Sequence, residues 1–357
     1  MRVLVTGHNG YIGSVMAPLL KLLGHDVVGL DTFYFEDCTF GEEPGWIPSL
    51  RRDIRDLTAK DLEGFEAIVH LAALCNDPLG DLNTGWTYDI NYTASVRLAE
   101  LAREAGVRRF LYASSCSMYG AAGENVLSED APLKPITAYA TSKVRTEEAV
   151  AKLADADFSP VFMRNATAYG VSPQLRADVV LNNLVCWAHT TGRIRIMSDG
   201  TPWRPIVHVQ DISRAFAAVL LAPREAIHNQ AFNVGSNGEN YQVLELAEIV
   251  RATVPGCTVE FGPGAGPDPR SYRVDFSKLG RMLPEFRPQW NASFGAKDLY
   301  SAVQQVALSF ADFQGRKYIR LTQFKHLLES GHLDPTLRWK TREPHVDAVT
   351  LSDNRTS

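Results

Sequence analysis

Residues 2–13 read RVLVTGHNGYIG, and this stretch decides how the rest of the chain is interpreted. The run Arg2–Thr6 is typical of a buried parallel strand, and an apolar pattern at helical spacing follows it. Between strand and helix stand Gly7, Gly10 and Gly13. Such glycines allow a tight turn, close approach of a pyrophosphate to the backbone, and close packing of helix on strand. The stretch therefore predicts a dinucleotide site at the N-terminus of a helix.

An acidic residue follows the second predicted strand at the spacing that this kind of site requires. The strand Asp26–Leu30 ends at Asp31, about 20 residues after the glycines. A carboxylate here accepts hydrogen bonds from the adenosine ribose and repels a 2′-phosphate, so the sequence predicts NAD rather than NADP. The alternative, an Asp that only begins a turn, is disfavoured by the spacing. Asp53 and Ile54 in RRDIRD are the expected adenine contacts.

Residues 108–143 combine a predicted strand, a serine cluster and a predicted helix. The helix carries Tyr139 and Lys143 four residues apart, which places both on one face. An ammonium beside a phenol favours the phenolate, and such a Tyr can act as a general base. The alternative is a surface Tyr and a solvated Lys, which YxxxK alone would favour. Its occurrence with the serine cluster and the dinucleotide opening favours an active site.

Composition limits the classes of function. The chain has 357 residues, 45% hydrophobic and 22% charged, as expected of a soluble globular protein, and its net charge of −5 argues against nucleic acid or an anionic membrane as partner. No apolar run approaches the ~18–20 residues that span a bilayer. The N-terminus runs straight into a strand, unlike a signal peptide. Five scattered cysteines without a CxxC pair indicate a reducing cytoplasm and no metal site.

The alternation of strands and helices predicts an α/β fold with a Rossmann-type doubly wound parallel sheet. Gly- and Pro-punctuated segments after residue 165 indicate a smaller, interrupted α/β substrate lobe. The basic stretch 315–342 carries interleaved aromatic residues. We interpret it as an amphipathic helix packed on its own body or on a sister subunit. We assign the ranges as follows: 1–165 with 206–235 to the NAD-binding domain, 166–205 and 236–342 to the substrate lobe and C-terminal extension, and 343–357 to a disordered tail.

Six motifs in order, TGHNGYIG, Asp31, HLAA, Asn91, ASSCSMYG and YATSK, resemble those of the extended short-chain dehydrogenase/reductase family. Within it the chain is similar to the nucleotide-sugar epimerases and dehydratases, the group of UDP-galactose 4-epimerase. The resemblance covers approximately residues 1–300. It implies a retained NAD that takes a hydride from a sugar carbon and usually returns it. It also implies a homodimer, built through a four-helix bundle that includes the helices around 91–105 and 138–153.

The resemblance assigns roles to single residues. Tyr139 corresponds to the base, Lys143 to the residue that binds the nicotinamide ribose, and Ser115 to the residue that shares the proton and orients the sugar oxygen. The catalytic residues are thus Ser115, Tyr139 and Lys143. The cofactor-binding residues are Gly7, Asn9, Gly10, Tyr11, Ile12, Gly13, Asp31, Asp53, Ile54, Leu71, Ala72, Ala73, Asn91, Tyr139 and Lys143. The substrate-binding residues are Ser115, Ser117, Asn165, Arg204 and Arg270, the two arginines for the diphosphate of the sugar nucleotide.

Departures from the family narrow the reaction. The 4,6-dehydratases have Asp-Glu where this chain has Cys116 and Ser117, so dehydration is not expected. The 3,5-epimerase/reductases have a catalytic Cys where this chain has Ser117, so we interpret Cys116 as a packed residue. The Arg that epimerases often place before a PGD-like turn is absent near Ala265, and Arg270 is its expected substitute.

These observations predict an NAD-dependent nucleotide-sugar epimerase that inverts C4 through a transient 4-keto sugar. Two enzymes of the same family are the alternatives, a nucleotide-sugar 4-ketoreductase and a UDP-uronic acid decarboxylase. A non-catalytic NAD-binding sensor is the alternative from another class. It gives no reason for Ser115, Tyr139 and Lys143 to occur together.

Overall fold

A computed structural model describes residues 1–75, 83–121, 125–266, 268 and 270–340. The strands are β1 (Arg2–Thr6), β2 (Asp26–Asp31), β3 (Ser49–Arg51), β4 (Ala67–His70), β5 (Arg109–Ser115), β6 (Val126–Leu127), β7 (Ser159–Asn165), β8 (Thr167–Tyr169), β9 (Arg193–Ser198), β10 (Trp203–His208), β11 (Gln230–Val234), β12 (Asn240–Gln242), β13 (Thr258–Gly266) and β14 (Arg273–Val274). The α-helices are α1 (Gly13–Leu22), α2 (Thr84–Thr87), α3 (Ser95–Glu104), α4 (Ala138–Ala151), α5 (Val180–Thr191), α6 (Val209–Leu221), α7 (Arg224–Ile227), α8 (Val243–Thr253), α9 (Ser277–Met282), α10 (Ala292–Gln305), α11 (Phe310–Gln314) and α12 (Arg320–Glu329). A π-helical segment, Tyr88–Ala94, joins α2 to α3.

The central sheet confirms the predicted doubly wound fold. Within the described residues seven strands pair in the order β11-β7-β5-β4-β1-β2-β3, and all neighbours are parallel. The chain moves outward from β1 to β3 and then returns to β4 on the other side of β1. Ligands of such sheets bind beyond the carboxyl ends of the strands where this direction changes. The glycine turn that follows β1 lies at that position.

Both faces of the sheet are covered, which explains why its strands read as continuous apolar runs. Successive side chains of a strand point to opposite faces. Val3 and Val5 accordingly join a core with Met16 of α1 and Phe216 of α6. Leu4 joins the core on the other face, with the helix that precedes β5 and with side chains from near the C-terminus.

A second lobe is built from short strands and helices. It contains a small sheet with the order β12-β10-β8 and the separate pair β13-β9. Its core is formed by α5, α8 and α10 around β9 and β10. Strand β11 returns to the central sheet beside β7. The Tyr11 hydroxyl donates to the carbonyl oxygen of Gly170 at 2.7 Å, which ties the glycine turn to this lobe.

The C-terminal extension, Phe310–Lys340, packs on the dinucleotide-binding side of its own chain. Trp339 Nε1 donates to Thr32 O at 2.7 Å, and Phe324 belongs to the same core as Leu4. Packing on its own body is one of the two arrangements expected for this basic stretch. The predicted tail 343–357 lies outside the described residues.

Candidate functional site

Two glycines of the turn after β1 have no room for a side chain, because neighbouring backbone atoms lie too close. Gly7 has φ of 74°, and a Cβ atom there would lie 2.7 Å from Ala72 N. A Cβ atom on Gly13 would lie 2.2 Å from Gly7 O. Helix α1 begins immediately after the turn, and among the described residues no side chain caps it. The first N–H groups of α1 and the helix dipole are therefore suited to bind an anion. A dinucleotide diphosphate is such an anion, so the residues of the turn fit it.

Asp31 lies against this turn. Its carboxylate accepts hydrogen bonds from Asn9 N at 3.0 Å and from Phe33 N at 2.8 Å, and the side chain is half-buried. The contact with Asn9 fixes the carboxylate beside the turn where the adenosine ribose is expected. Phe33 has φ of 59°, a backbone conformation uncommon for a bulky residue. These two hydrogen bonds show that Asp31 also stabilises the backbone at Asn9 and Phe33, in addition to its predicted binding of ribose.

Asp53 is part of an ion-pair cluster that the sequence did not reveal. Both of its carboxylate oxygens accept from Arg55, with Arg55 Nη2 to Asp53 Oδ2 at 2.6 Å. Arg55 also pairs with Asp89 at 2.9 Å, and Arg338 Nη1 lies 3.8 Å from Asp53 Oδ2. Ile54 is 4% exposed and belongs to the core. Any adenine contact by Asp53 would share its oxygens with two guanidinium groups.

A cleft of about 1490 Å³ borders this half of the dinucleotide site. Its walls come from the glycine turn, the loop after β2, strand β3 and the C-terminal extension. Lining residues include His8, Asn9, Phe33, Asp53, Arg338 and Trp339. The extension is thus one wall of this cleft, although the residues predicted to bind the cofactor all lie in the first domain.

The serine predicted to act in catalysis caps the turn at the end of β5. Ser115 Oγ accepts from Ser117 N at 3.2 Å and donates to Ser117 Oγ at 2.9 Å. The cap holds a short 3-10 helix, Cys116–Tyr119. Ser115 and Ser117 are therefore linked at the carboxyl end of a central strand, where ligands of this fold bind.

Lys143 is buried, which removes the interpretation of a solvated surface lysine. It is 3% exposed, and its Nζ donates to Ala113 O at 2.7 Å. Nζ also lies 5.7 Å from the ring centre of Tyr139, which is half-buried. Burial lowers the pKa of Lys143 to about 8. Helix α4 begins at a cap in which Thr137 Oγ1 accepts from Ala140 N at 3.1 Å, so both residues lie in its first two turns.

Asn91 anchors the segment that follows β4. Its side-chain amide binds both backbone groups of Leu74, with Leu74 N to Oδ1 at 2.8 Å and Nδ2 to Leu74 O at 3.0 Å. Its carbonyl oxygen accepts from Thr146 Oγ1 at 2.9 Å. Asn91 lies in the π-helical segment, a distortion often found at functional sites. Asn91 thereby positions Leu71–Ala73, whose backbone contacts the glycine turn.

His70 and Cys116 are both buried near the site, and for Cys116 this agrees with the interpretation from the sequence. His70 bonds Thr6 Oγ1 at 2.6 Å and Ser95 Oγ at 2.8 Å, and burial lowers its pKa to about 3. Cys116 is fully buried, and its Sγ donates to Arg164 O at 3.1 Å. Burial raises the pKa of this thiol. Neither side chain is placed for acid–base work on a sugar.

Asn165 ends β7 directly beside Ser115 in the sheet register. It is buried, its Nδ2 is 3.4 Å from Ser114 O, and its Oδ1 finds no hydrogen-bond partner among the described residues. A buried polar atom without a partner is costly. Within the part of the chain that the structure describes, Asn165 Oδ1 is therefore a buried acceptor left without a partner at this strand end.

Arg204 and Arg270 are brought together by a carboxylate that sequence reasoning missed. Arg204 Nη2 and Arg270 Nη2 lie 2.6 Å and 2.8 Å from the same oxygen, Asp268 Oδ2. Asp268 stands in the segment PDPR, so its nearness to Arg270 could have been read from the sequence. Its contact with Arg204, 64 residues away, could not. The hydroxyl of Tyr11 is directed into the second lobe, where it donates to Gly170 O and accepts from Asn182 Nδ2.

In the part of the chain that the structure describes, no helix has the length and apolarity to cross a membrane. Nor are three His, Cys, Asp or Glu side chains grouped there as a metal site would need.

Comparison with known proteins shows the family of the chain. Residues 3–235 match the NAD dependent epimerase/dehydratase family. The chain belongs to this family. It is 33% identical over 297 residues to the UDP-glucose 4-epimerase of Mycolicibacterium smegmatis, covering 79% of this chain and 92% of the relative. It is 30% identical over 303 residues to the UDP-glucose 4-epimerase of Corynebacterium glutamicum, covering 79% and 90%.

Among solved structures the chain is similar to MoeE5 in complex with UDP-glucuronic acid and NAD. The identity is 27%, the TM-score is 0.75, and the match covers 86% of this chain and 100% of MoeE5. The extended short-chain dehydrogenase/reductase family, the Rossmann-type fold and NAD as the cofactor of the family are thereby confirmed.

Proposed function

We propose that the protein is an NAD-dependent nucleotide-sugar 4-epimerase. The observation that carries the proposal is the buried Lys143 ammonium, held between Ala113 O and the ring of Tyr139 beside the end of the strand that carries Ser115. A buried cation next to a phenol favours loss of the phenolic proton. The similarity to two UDP-glucose 4-epimerases supports the same reaction class.

The chain's own residues handle the proton. Tyr139 takes the proton of the sugar hydroxyl and later returns it to the oxygen of the transient 4-keto sugar. Lys143 keeps a positive charge beside the phenol and binds the nicotinamide ribose. Ser115, linked to Ser117, orients the sugar oxygen. NAD, when bound, supplies the hydride chemistry that gives a transient 4-keto sugar.

The cofactor would be held along the carboxyl edge of the sheet. The turn from Gly7 to Gly13 and the N-terminus of α1 would hold the diphosphate, and Asp31 the adenosine ribose. The Leu71–Ala73 segment, fixed by Asn91, would line the opposite side. We assign residues 1–165 and 206–235 to this NAD-binding domain.

The substrate would be held by the remaining predicted residues. Ser117 and Asn165 lie at neighbouring strand ends and offer polar atoms to the sugar. Arg204 and Arg270 would bind the diphosphate, for which they must exchange the Asp268 carboxylate for phosphate oxygens. We assign 166–205 and 236–342 to the substrate lobe and C-terminal extension.

The two related activities are less well supported. A UDP-uronic acid decarboxylase usually has additional acidic and basic groups beside the serine, where this chain has the buried Cys116 and the half-buried Ser117. A 4-ketoreductase commonly uses NADPH, which Asp31 disfavours. A non-catalytic sensor would not need a buried Lys143 beside Tyr139.

Product analysis tests the proposal directly. We expect a panel of UDP- and other nucleotide-linked hexoses and uronic acids, incubated with the protein and followed by NMR, to show one pair of C4 epimers interconverting. No 4-keto-6-deoxy sugar and no CO₂ loss should appear. Accumulation of a dehydrated or decarboxylated product would contradict the assignment, as would a reduced product formed only with added NAD(P)H.

We further propose that the protein is a cytoplasmic homodimer. The five cysteines are unpaired, as expected in a reducing compartment. Helices α3 and α4 pack side by side and can supply two helices of a four-helix bundle. Light scattering at micromolar concentration should give twice the monomer mass of 39.5 kDa. A monomer would contradict the dimer without affecting the proposed reaction.

A further inference from the structure

The C-terminal extension places one guanidinium group inside the protein. Arg320, the first residue of α12, is 4% exposed. Its Nη2 donates to Gln174 O at 2.8 Å, and its guanidinium carbon lies 3.9 Å from the ring centre of Phe35. Arg320 therefore lies between the loop after β2 and the loop after β8.

This guanidinium is not fully satisfied. Arg320 Nη1 finds no hydrogen-bond partner among the described residues, nor does the nearby Gln174 Oε1. Arg176 is close enough to oppose its charge, and burial together with this neighbour lowers the pKa of Arg320 to about 10. Arg176 itself pairs with Asp178 at 2.8 Å. Buried charges normally have partners, because desolvating an unpaired ion is costly. The arrangement indicates an anionic ligand.

Hydrogen bonds connect Arg320 to both borders of the dinucleotide site. On one side Gln174 N donates to Ser172 Oγ at 3.2 Å, and Ser172 Oγ lies 3.0 Å from Ser14 Oγ in the first turn of α1. On the other side Gln323, one turn after Arg320, donates from Nε2 to Tyr34 O at 2.9 Å, three residues beyond Asp31. In a fold of this kind the diphosphate is expected at the N-terminus of α1, so Arg320 is linked to both sides of the expected position.

We propose that Arg320 binds the diphosphate of the dinucleotide, so that the C-terminal extension supplies a residue of the cofactor site. A guanidinium offers paired donors that match two phosphate oxygens. The α1 N-terminus would approach the same diphosphate from the other side with backbone N–H groups. The inference rests on the NAD binding proposed above and concerns residues outside the family match, which ends at residue 235.

The proposal distinguishes Arg320 from a merely structural arginine. Replacing a buried, poorly paired ion by an apolar residue of similar size is often neutral or stabilising. Arg320→Met should therefore hold or raise the melting temperature of dinucleotide-free protein. The same change should reduce the further rise in melting temperature that NAD causes. A structural arginine would show the reverse, a loss of stability with unchanged ligand affinity.

The test measures binding, not turnover. Protein stripped of dinucleotide on charcoal is titrated with NAD, ADP-ribose, adenosine and UDP by calorimetry. Loss of a charge-assisted hydrogen bond should weaken NAD and ADP-ribose about 10- to 100-fold in Arg320→Met, with adenosine and UDP unchanged. Lys325→Met is the matched control, because Lys325 is exposed on the same helix. It should leave all four affinities unchanged.

Four results would overturn the assignment. They are an unchanged NAD affinity in Arg320→Met, an equal loss for adenosine, a loss for UDP instead of NAD, and the same loss in Lys325→Met. If Arg320→Met does not fold, Arg320→Lys serves instead, since it keeps the charge and loses the paired donors. It should weaken NAD by about 10-fold, and an unchanged affinity would count against the proposal. Wild-type protein that binds neither NAD nor ADP-ribose would refute the proposed function itself.

Discussion

Lys143 Nζ and Ala113 O are joined by a buried hydrogen bond of 2.7 Å. Ala113 lies on β5 two residues before Ser115, and Lys143 lies one helical turn after Tyr139. The bond therefore sets the distance between the helix that carries the base and the strand that carries the serine. Because Nζ is also near the rings of Tyr112 and Tyr139, this one contact organises the proposed catalytic group.

Tyr139→Phe should abolish most turnover without disturbing the fold. The change removes the phenolic oxygen and keeps the ring beside Lys143. Removal of a general base costs about 10²–10⁴-fold in rate. We expect kcat to fall by that factor, with NAD content and melting temperature essentially unchanged. Tyr88→Phe, at the start of the π-helical segment that precedes α3, is the control and should retain turnover. Wild-type kcat in Tyr139→Phe would place the active site elsewhere.

Lys143→Met should reduce activity without reducing the stability of the fold. Burial lowers the pKa of Lys143 to about 8, against an ordinary value near ~10.4. The charged form is therefore disfavoured in the folded protein by up to about 3 kcal/mol at neutral pH. The variant should lose activity and nicotinamide binding, but its free energy of unfolding at pH 7 should stay level or increase.

The lowered pKa of Lys143 also predicts how the free energy of unfolding changes with pH. Between about pH 8 and ~10.4 the unfolded chain binds the proton that folded Lys143 has released, so wild-type stability gains with rising pH in that window. Urea titrations at pH 7 and 10 should show this gain in wild type and less of it in Lys143→Met. An identical pH response in both proteins would mean that Lys143 is charged at pH 10 when folded.

Asp31→Asn should narrow the preference for NAD over NADP. Asn keeps an acceptor for Asn9 N or Phe33 N but loses the charge that repels a 2′-phosphate. We expect NAD to bind roughly 10-fold more weakly and the ratio of the two dissociation constants to approach one. Asp26→Asn is the control, because Asp26 is exposed at the other end of the same strand. An unchanged ratio in Asp31→Asn would remove the role given to this carboxylate.

Glu239 should make the protein less stable as pH rises toward neutrality. Burial raises its pKa to about 7, and its oxygens accept from Ala292 N at 2.8 Å and Tyr241 Oη at 3.1 Å. Between about pH 4.3 and 7 the unfolded chain loses this proton before the folded protein does. Stability must then decline across that window. Glu239→Gln should lack this part of the decline, so its melting temperature relative to wild type should increase from pH 5 to 7.5.

The control is Glu248→Gln, exposed on the neighbouring helix α8. It should follow the wild-type pH profile. A constant difference between Glu239→Gln and wild type across the whole range would mean that Glu239 is ionised in the folded protein at pH 5.

Sequence patterns predicted those parts of the site whose residues lie close together along the chain. Gly7 and Gly13 could be assigned because turn, strand end and helix start lie within a dozen residues. Tyr139 and Lys143 could be paired because helical spacing alone places them on one face. The helix around Asn91 was predicted from its apolar period, but that period carries no sign of the π-helical segment in which Asn91 lies.

The remaining contacts join distant parts of the chain. Arg338 pairs with Asp56 across 282 residues, and Arg320 reaches Gln174 across 146. No periodicity or spacing specifies such a partner, so the basic stretch could be predicted to pack without showing where. The charge of Asp53 was likewise visible in RRDIRD, whereas its second cation, Arg338, came only from the folded chain.

The contact between Trp339 and Thr32 spans 307 residues, and it has a consequence for biosynthesis. Leu333 and Leu337 share a core with Leu4, so the covering of one face of the sheet is not complete until translation has passed residue 339. Until then part of that face offers apolar surface to chaperones and to other nascent chains. A stop codon before Arg320 would leave that part permanently exposed. We therefore expect missense or nonsense changes in the C-terminal extension to reduce the yield of soluble protein before they alter any other property.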